Sequence, residues 1–323
     1  QAKSVAYWLL NPIFYIGHGA GLGKTIICAS TLRYILEKRI KLFLLKEGFE
    51  LSDIHIWLRN EVEKKEDLWS KGDLGKYLQN KKGKATSFYS LQEKAIFAGK
   101  KKSLSQIKEE FDKNTNLNTK IIASGKKNIL KAIKETNFDM LDVIITNHSS
   151  LKQKNFVEYT NKKQDKIGIF ILDDCETVKN VKSQLTQKII DFVRMADRRL
   201  FMNANPLEKE VVDFYTQLDI LNNQLMPTKA SFLKEFAIPD ETAGHWMTTS
   251  SGKAKFIKHR GVYKGYKNQD MLLKYIKFHY YGVTKRQLTT QLGKEMTKNH
   301  IDVEILEPVP KQKEIVKSWN YQN

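Results

Sequence analysis

Gly19-Ala20-Gly21-Leu22-Gly23-Lys24-Thr25 is the stretch that decides how this chain is read. An apolar run, Ile13 to Gly17, precedes it, and a run with helical spacing, Ile26 to Leu36, follows it. The order is strand, glycine-rich turn, helix. Phosphate chemistry needs each part. Glycines let backbone N–H groups close around phosphate oxygens, and a helix N-terminus favours their negative charge. Lys24 stands where a cation reaches the β and γ phosphates, and the Thr25 hydroxyl stands where Mg²⁺ needs a ligand. Gly19, Gly21, Leu22, Gly23 and Ile26 complete the nucleotide-binding set that the pattern implies. His18 occupies the place where the strict pattern has its first glycine.

Working outward, short β-rich runs alternate with longer helical ones. Strands are expected at Ile13–Gly17, Lys41–Leu45, Lys120–Ser124, Asp142–Asn147, Ile167–Asp174 and Arg199–Ala204. Several are continuous apolar runs, as in a parallel sheet covered on both faces. Helices are expected at Thr25–Lys38, Ile54–Lys65, Ser103–Asp112, Lys126–Glu135, Thr186–Asp197 and Glu208–Leu221. This alternation predicts an α/β fold, a doubly wound and mostly parallel sheet, with its ligand site at the carboxyl ends of the strands. Trp69 to Lys102 is rich in Lys and Gly and reads as part of an inserted segment, about 69–118. Thr242 to Lys267 also reads as irregular, and helical spacing resumes from Met271 to Tyr281. The expected division is a nucleotide-binding lobe over 1–225, a helical and irregular basic extension over 226–300, and the start of a linker or second lobe over 301–323.

A second chemical motif lies downstream. Ile167-Gly168-Ile169-Phe170-Ile171-Leu172 is a buried-strand run that ends in Asp173-Asp174-Cys175-Glu176. Such a strand carries Asp173 to the sheet's carboxyl edge, beside the phosphate loop. One carboxylate can hold Mg²⁺ and the next can polarise an attacking water. Lys24, Asp173 and Asp174 are thus the candidate catalytic residues, with Thr25 and Asp173 as the Mg²⁺ pair.

The order of motifs resembles the first RecA-like ATPase lobe of the SWI/SNF-like family of helicase superfamily 2. Gly21 to Thr25 match the family's GLGKT. Gln1, with Tyr7-Trp8-Leu9-Leu10, is similar to its adenine-side segment, which adds Gln1 to the nucleotide set. Val143 to Leu151 resemble its VITNYE segment, Asp173 to Asn180 its DEAH box, and Arg199 to Leu207 its RL.LTGTPI stretch. Phe214 to Leu221 are similar to the helix after that stretch, and Thr284-Lys285 fall where the family has RRTK. The resemblance implies a P-loop NTPase lobe that uses ATP and Mg²⁺ to move along double-stranded DNA. It implies phosphate-backbone contacts at Thr146, Asn147, His148 and Ser149. It implies coupling between nucleotide and nucleic acid at Asn203 and Asn205. The family's Glu is Asp174 here, its His is Glu176, and its Thr-Gly-Thr is Asn203-Ala204-Asn205. Family members also carry a second lobe whose arginines complete the ATP site. The expectation is a chain that lacks that lobe and turns ATP over slowly. Two other readings stay open: a helicase that unwinds RNA or DNA, and an ATP-insensitive scaffold that binds nucleic acid or protein.

Bulk properties set the partner class. The chain has 323 residues, a formal net charge of +19 and 41% hydrophobic residues, so it has both a core and a strong bias towards polyanions. Lys253, Lys255, Lys258, Arg260 and Lys264 interleave with aromatics and form a second candidate nucleic-acid region, or else a solvated loop. DNA, or RNA in its place, is the expected partner. No run approaches a membrane span, so no membrane partner is expected. Cys28 and Cys175, the two cysteines, fall in core segments, which suits a reducing compartment. The expected location is intracellular, cytoplasmic in a bacterial or viral setting and nuclear in a eukaryote. The histidines show no metal-ligand spacing with the cysteines.

Overall fold

The computed structural model describes residues 1–46, 50, 94–115, 117–123, 125–136, 138, 141–162, 167–204, 206, 210–248, 254–258 and 261–283. Eleven strands are described: β1 Ile13–Ile16, β2 Lys94–Gly99, β3 Thr119–Ile121, β4 Val143–Asn147, β5 Ile167–Leu172, β6 Arg198–Met202, β7 Ala237–Pro239, β8 Gly244–Thr248, β9 Ala254–Lys258, β10 Tyr263–Tyr266 and β11 Tyr280–Tyr281. The helices are α1 Ala2–Leu10, α2 Lys24–Lys46, α3 Leu104–Asn114, α4 Lys126–Lys134, α5 Lys154–Asn161, α6 Gln184–Met195, α7 Val211–Leu221, α8 Lys229–Phe236 and α9 Gln269–Ile276.

Seven strands form one sheet in the order β11-β1-β6-β5-β2-β4-β3. Every pairing in it is parallel. Neighbours in space are rarely neighbours in sequence, so helices must return the chain across the faces. The strand sequences show why both faces are covered. Phe14 and Ile16 enter one hydrophobic cluster with Trp8, Leu32, Phe97 and Phe111, on the side of α1, α2 and α3. Tyr15, between them, enters the other with Phe170, Phe192, Phe214 and Phe232. Strict alternation on a strand apolar on both sides gives two cores and one parallel sheet. The architecture is α/β, a parallel sheet with helices on both faces, as expected.

Three elements differ from the expectation. Lys41–Leu45 is the end of α2, which runs unbroken for 23 residues. Its apolar run resembles a strand, but no Gly or Pro interrupts the chain between Thr25 and Lys46, so the helix continues. β2 lies inside the stretch expected to be an insertion, and it is a central strand between β5 and β4. The Thr242–Lys267 stretch is not irregular throughout: β8 and β9 pair as an antiparallel hairpin, and β10 pairs with β7. The compact unit runs from Gln1 to Thr284 without a break at residue 225. The helix Ile54–Lys65 and the elements expected beyond Thr284 lie outside the described residues. No helix among the described residues is long and apolar enough to cross a membrane.

Candidate nucleotide site and strand-end edge

The glycine-rich loop leaves β1 and turns into α2. Gly21 and Gly23 have φ of 79° and 75°, the left-handed backbone that glycine adopts without a Cβ penalty. At Gly23 a Cβ would also run into the Gln1 Nε2, so Gln1 lies directly against the loop. Leu22 N donates to the Gly19 carbonyl at 3.3 Å, and Ile27 N to the Gly23 carbonyl at 3.1 Å, where the helical ladder begins. Gly19 N donates to the Val283 carbonyl at 3.0 Å, so the loop is anchored to the chain just after β11. Thr25 and Ile26 are half-buried in the first turn of α2. Lys24 Nζ donates to the His18 carbonyl at 3.1 Å. The His18 ring is buried, its Nε2 is 2.8 Å from Ser4 Oγ, and its Nδ1 has no partner. Burial first, then the Lys24 cation, lowers its pKa to about 4, so the ring is neutral at pH 7.

The acidic edge faces this loop. Asp173 N donates to the Ala98 carbonyl at 2.8 Å, which extends the β5–β2 pairing and fixes where the first carboxylate stands. Burial, then the charge of Asp174, pushes the Asp173 pKa up to about 6, against the opposing pull of Lys24. Asp174 takes a left-handed backbone, φ 50°, and its Oδ2 pairs with Lys100 Nζ at 3.1 Å. His148 Nε2 sits 2.8 Å from the Asp173 carbonyl oxygen, and burial lowers its pKa. Lys24, far from the acidic pair in sequence, therefore acts on Asp173 beside Asp174 at the sheet's carboxyl edge.

Below this edge lies a buried polar network. The Tyr15 hydroxyl donates to Gln217 Oε1 at 2.6 Å. Cys175 Sγ lies 3.2 Å from the Tyr15 hydroxyl and 3.3 Å from Gln217 Oε1. Burial raises the pKa of both Tyr15 and Cys175, so both stay protonated. Asn203, one residue after β6, is buried; its Oδ1 accepts from Ala204 N at 2.8 Å, and its Nδ2 has no partner. Asn205 lies outside the described residues.

The strand-end candidates separate by burial. Thr146 is fully buried and its hydroxyl donates to the Ile122 carbonyl at 2.7 Å. Asn147 is buried too: its Nδ2 meets Ser149 Oγ, and its Oδ1 accepts from Ser150 Oγ at 2.6 Å. These two side chains shape the turn after β4. His148 is half-buried and Ser149 is exposed. Lys264, on β10, is exposed; Asp240 is held ionised first by the Thr242 hydroxyl and backbone, with a smaller contribution from Lys264. Lys255 and Lys258 lie on β9, but their side chains, with Lys253 and Arg260, lie outside the described residues.

Sequence reasoning missed Lys100. Its signal was present: an apolar run, Ala95 to Phe97, ending in Ala98-Gly99 and three successive lysines before a helix. The lysines hid it, because they made the region look like an insertion. It also missed the Tyr15–Gln217–Cys175 network, since nothing in sequence joins residues so far apart.

Comparison with known proteins assigns this constellation a family. The SNF2-related domain matches residues 14–317. The Sulfolobus solfataricus SWI2/SNF2 ATPase core in complex with dsDNA aligns at 13% identity, with a TM-score of 0.47. The alignment covers 88% of this chain and 42% of that one, so this chain spans less than half of the solved core. No curated protein matches. With the matched span covering nearly the whole sequence, the chain belongs to the family of SNF2-related domains.

Proposed function

We propose that this chain is the ATP-binding motor lobe of a DNA-stimulated ATPase that tracks along duplex DNA. One observation carries the reading: Lys24 and the Asp173–Asp174 pair meet at the carboxyl edge of a parallel sheet, across a loop with two left-handed glycines. Membership of the SNF2-related family and the +19 charge support it.

The residues present fit a magnesium nucleotide. Lys24 places its ammonium on a backbone carbonyl that a phosphate oxygen can replace, and burial raises the Asp173 carboxyl to a pKa of about 6, so it is ionised at pH 7 at a cost that a bound cation would relieve. Asp173 and Thr25 would hold Mg²⁺, and Lys24 and the loop N–H groups would hold the phosphates. Bound Mg²⁺ supplies neutralisation of charge on the phosphate oxygens. Asp174 would orient the attacking water and accept its proton. Gln1, against Gly23, bounds the loop on the side of α1. Ser149, His148 and Lys264 would meet the DNA backbone, which carries no sequence information.

Titration with a fluorescent ATP analogue tests the site. Lys24→Ala is expected to weaken binding about ten- to a hundred-fold, the loss of a charged hydrogen bond. Asp174→Asn is expected to keep nucleotide binding and to lower DNA-stimulated hydrolysis about 10²- to 10⁴-fold. Equal affinity in the lysine variant, or an unchanged rate in the asparagine variant, overturns the assignment and favours the ATP-insensitive scaffold. Strand separation of a tailed duplex would instead favour the unwinding helicase.

A further inference from the structure

Lys100 is tied to the candidate site by strand register. Ala98 lies opposite Leu172 on β5, and Gly99 lies opposite Asn147 on β4. Continued past the strand ends, these registers set Lys100 between Asp174 on one side and His148 on the other. The contacts agree: Lys100 Nζ is 3.1 Å from Asp174 Oδ2, and Lys100 and Asp174 both act on the His148 ring. The lysine side chain is 53% exposed and the aspartate 28%, so an outside anion can reach the pair. Lys101 and Lys102 follow and are exposed, and no acidic residue occurs between Gly99 and Glu109. The edge therefore holds three successive cations, and Asp174 answers one of them.

A partly exposed ion pair is weak, because water and salt screen it. A phosphodiester beside three lysines is a strong competitor, since each phosphate neutralised also releases a counterion. Asp174 also sits in a backbone region that non-glycine residues seldom adopt. We propose that a backbone phosphate of duplex DNA competes with Asp174 for Lys100, so that DNA binding frees the carboxylate that positions water. The inference rests on the role given to Asp174 in the preceding section. Without DNA, Lys100 holds the carboxylate; with DNA, the ammonium moves to phosphate and the carboxylate is released. Lys100 thereby acts as a DNA contact and as a positioning residue for Asp174.

A thermodynamic cycle tests the competition without nucleotide. Anisotropy of a short fluorescent duplex would be followed with the full chain as wild type, Lys100→Ala, Asp174→Asn and the double variant. Asp174→Asn is expected to tighten DNA binding about two- to five-fold, the worth of a partly exposed ion pair. Lys100→Ala is expected to weaken binding and to lower the log–log salt slope by about 0.9, the value for one phosphate. In the Lys100→Ala background the aspartate substitution is expected to change nothing. Equal tightening in both backgrounds would reduce the effect to general charge removal, and no tightening in either would show that the pair does not compete. Both results overturn the proposal. ATPase rates give a second readout: Lys100→Ala is expected to raise the DNA-free rate and to shrink the ratio of stimulated to basal rate. An unchanged basal rate and ratio overturn the release step. If the wild-type chain hydrolyses no ATP with or without duplex, the motor reading fails, while the binding cycle still decides the competition.

Discussion

Asp173 bears a cost that the fold imposes and that a bound cation would relieve. Burial and the neighbouring Asp174 raise its pKa to about 6, above the ordinary aspartate value. The folded chain then binds a proton more readily than the unfolded chain. This group therefore lowers stability as pH rises from about 4 through about 6, and its cost is fully present at pH 7. Asp173→Asn is expected to stabilise the nucleotide-free chain at pH 7 by about 1–2 kcal/mol and to leave it unchanged near pH 4, measured by urea unfolding at each pH. A pH-independent difference would place the carboxyl in solvent instead. His18 has the opposite sign: its pKa falls from 6.5 to about 4, so its contribution is present above pH 6.5 and lost as pH falls towards 4. At this scale the sequence was informative about chemistry and silent about neighbours. Lys24, Thr25 and Asp173 were proposed because a phosphate site would demand those residue types in that order. Thr146 and Asn147 could not be separated from Ser149, because burial alternates residue by residue at a strand end and the turn decides which side chain faces out.

Between elements, Tyr15 joins β1, α7 and the turn after β5. Its hydroxyl donates to Gln217 Oε1 at 2.6 Å and lies 3.2 Å from Cys175 Sγ, all within the core. Tyr15→Phe removes the donor and leaves a buried amide oxygen with only a weak thiol partner. Unfolding free energy is expected to fall by about 1–3 kcal/mol, the penalty for an orphaned buried acceptor, read by denaturant titration. The Asp173 box should loosen with it, so nucleotide affinity is expected to fall too. A loss below a few tenths of a kcal/mol would mean that water or Cys175 replaces the bond. Sheet strands with long apolar runs, β1, β4 and β5, were legible because burial on both faces leaves a continuous signal. β2 was not, since its short apolar run is bracketed by lysines that suggest solvent. The opposite error fell on Lys41–Leu45, where local apolarity outweighed the absence of any helix breaker. Elements are set by what surrounds them, and one-dimensional composition records that only partly.

For the molecule as a whole, the +19 charge governs how it meets a polyanion. Affinity for duplex DNA is expected to fall linearly in log–log form with salt, with a slope of about −0.9 per phosphate neutralised and little dependence on sequence. Neutralising Lys253, Lys255, Lys258 and Lys264 together is expected to flatten that slope in a salt series. An unchanged slope would return those lysines to a solvated surface. The doubly wound α/β class was legible from the alternation of runs, but the strand that flanks β1 on its far side was not. Tyr15 pairs with Tyr280, and Gly19 N bonds the Val283 carbonyl, so the far end of the compact unit completes the strand that carries the phosphate loop. That arrangement has a consequence on the ribosome. The loop is made well before it is finished: β1 gains β6 only after Met202 and β11 only after Tyr281. At about 5–20 residues per second, synthesis from Gly19 to Val283 takes on the order of 10–50 s, and for that time one side of β1 stays an open edge. The nascent chain thus cannot hold nucleotide in a finished loop until nearly all of the compact unit has emerged, and an unpaired strand next to a glycine-rich turn is what a chaperone would have to shield meanwhile.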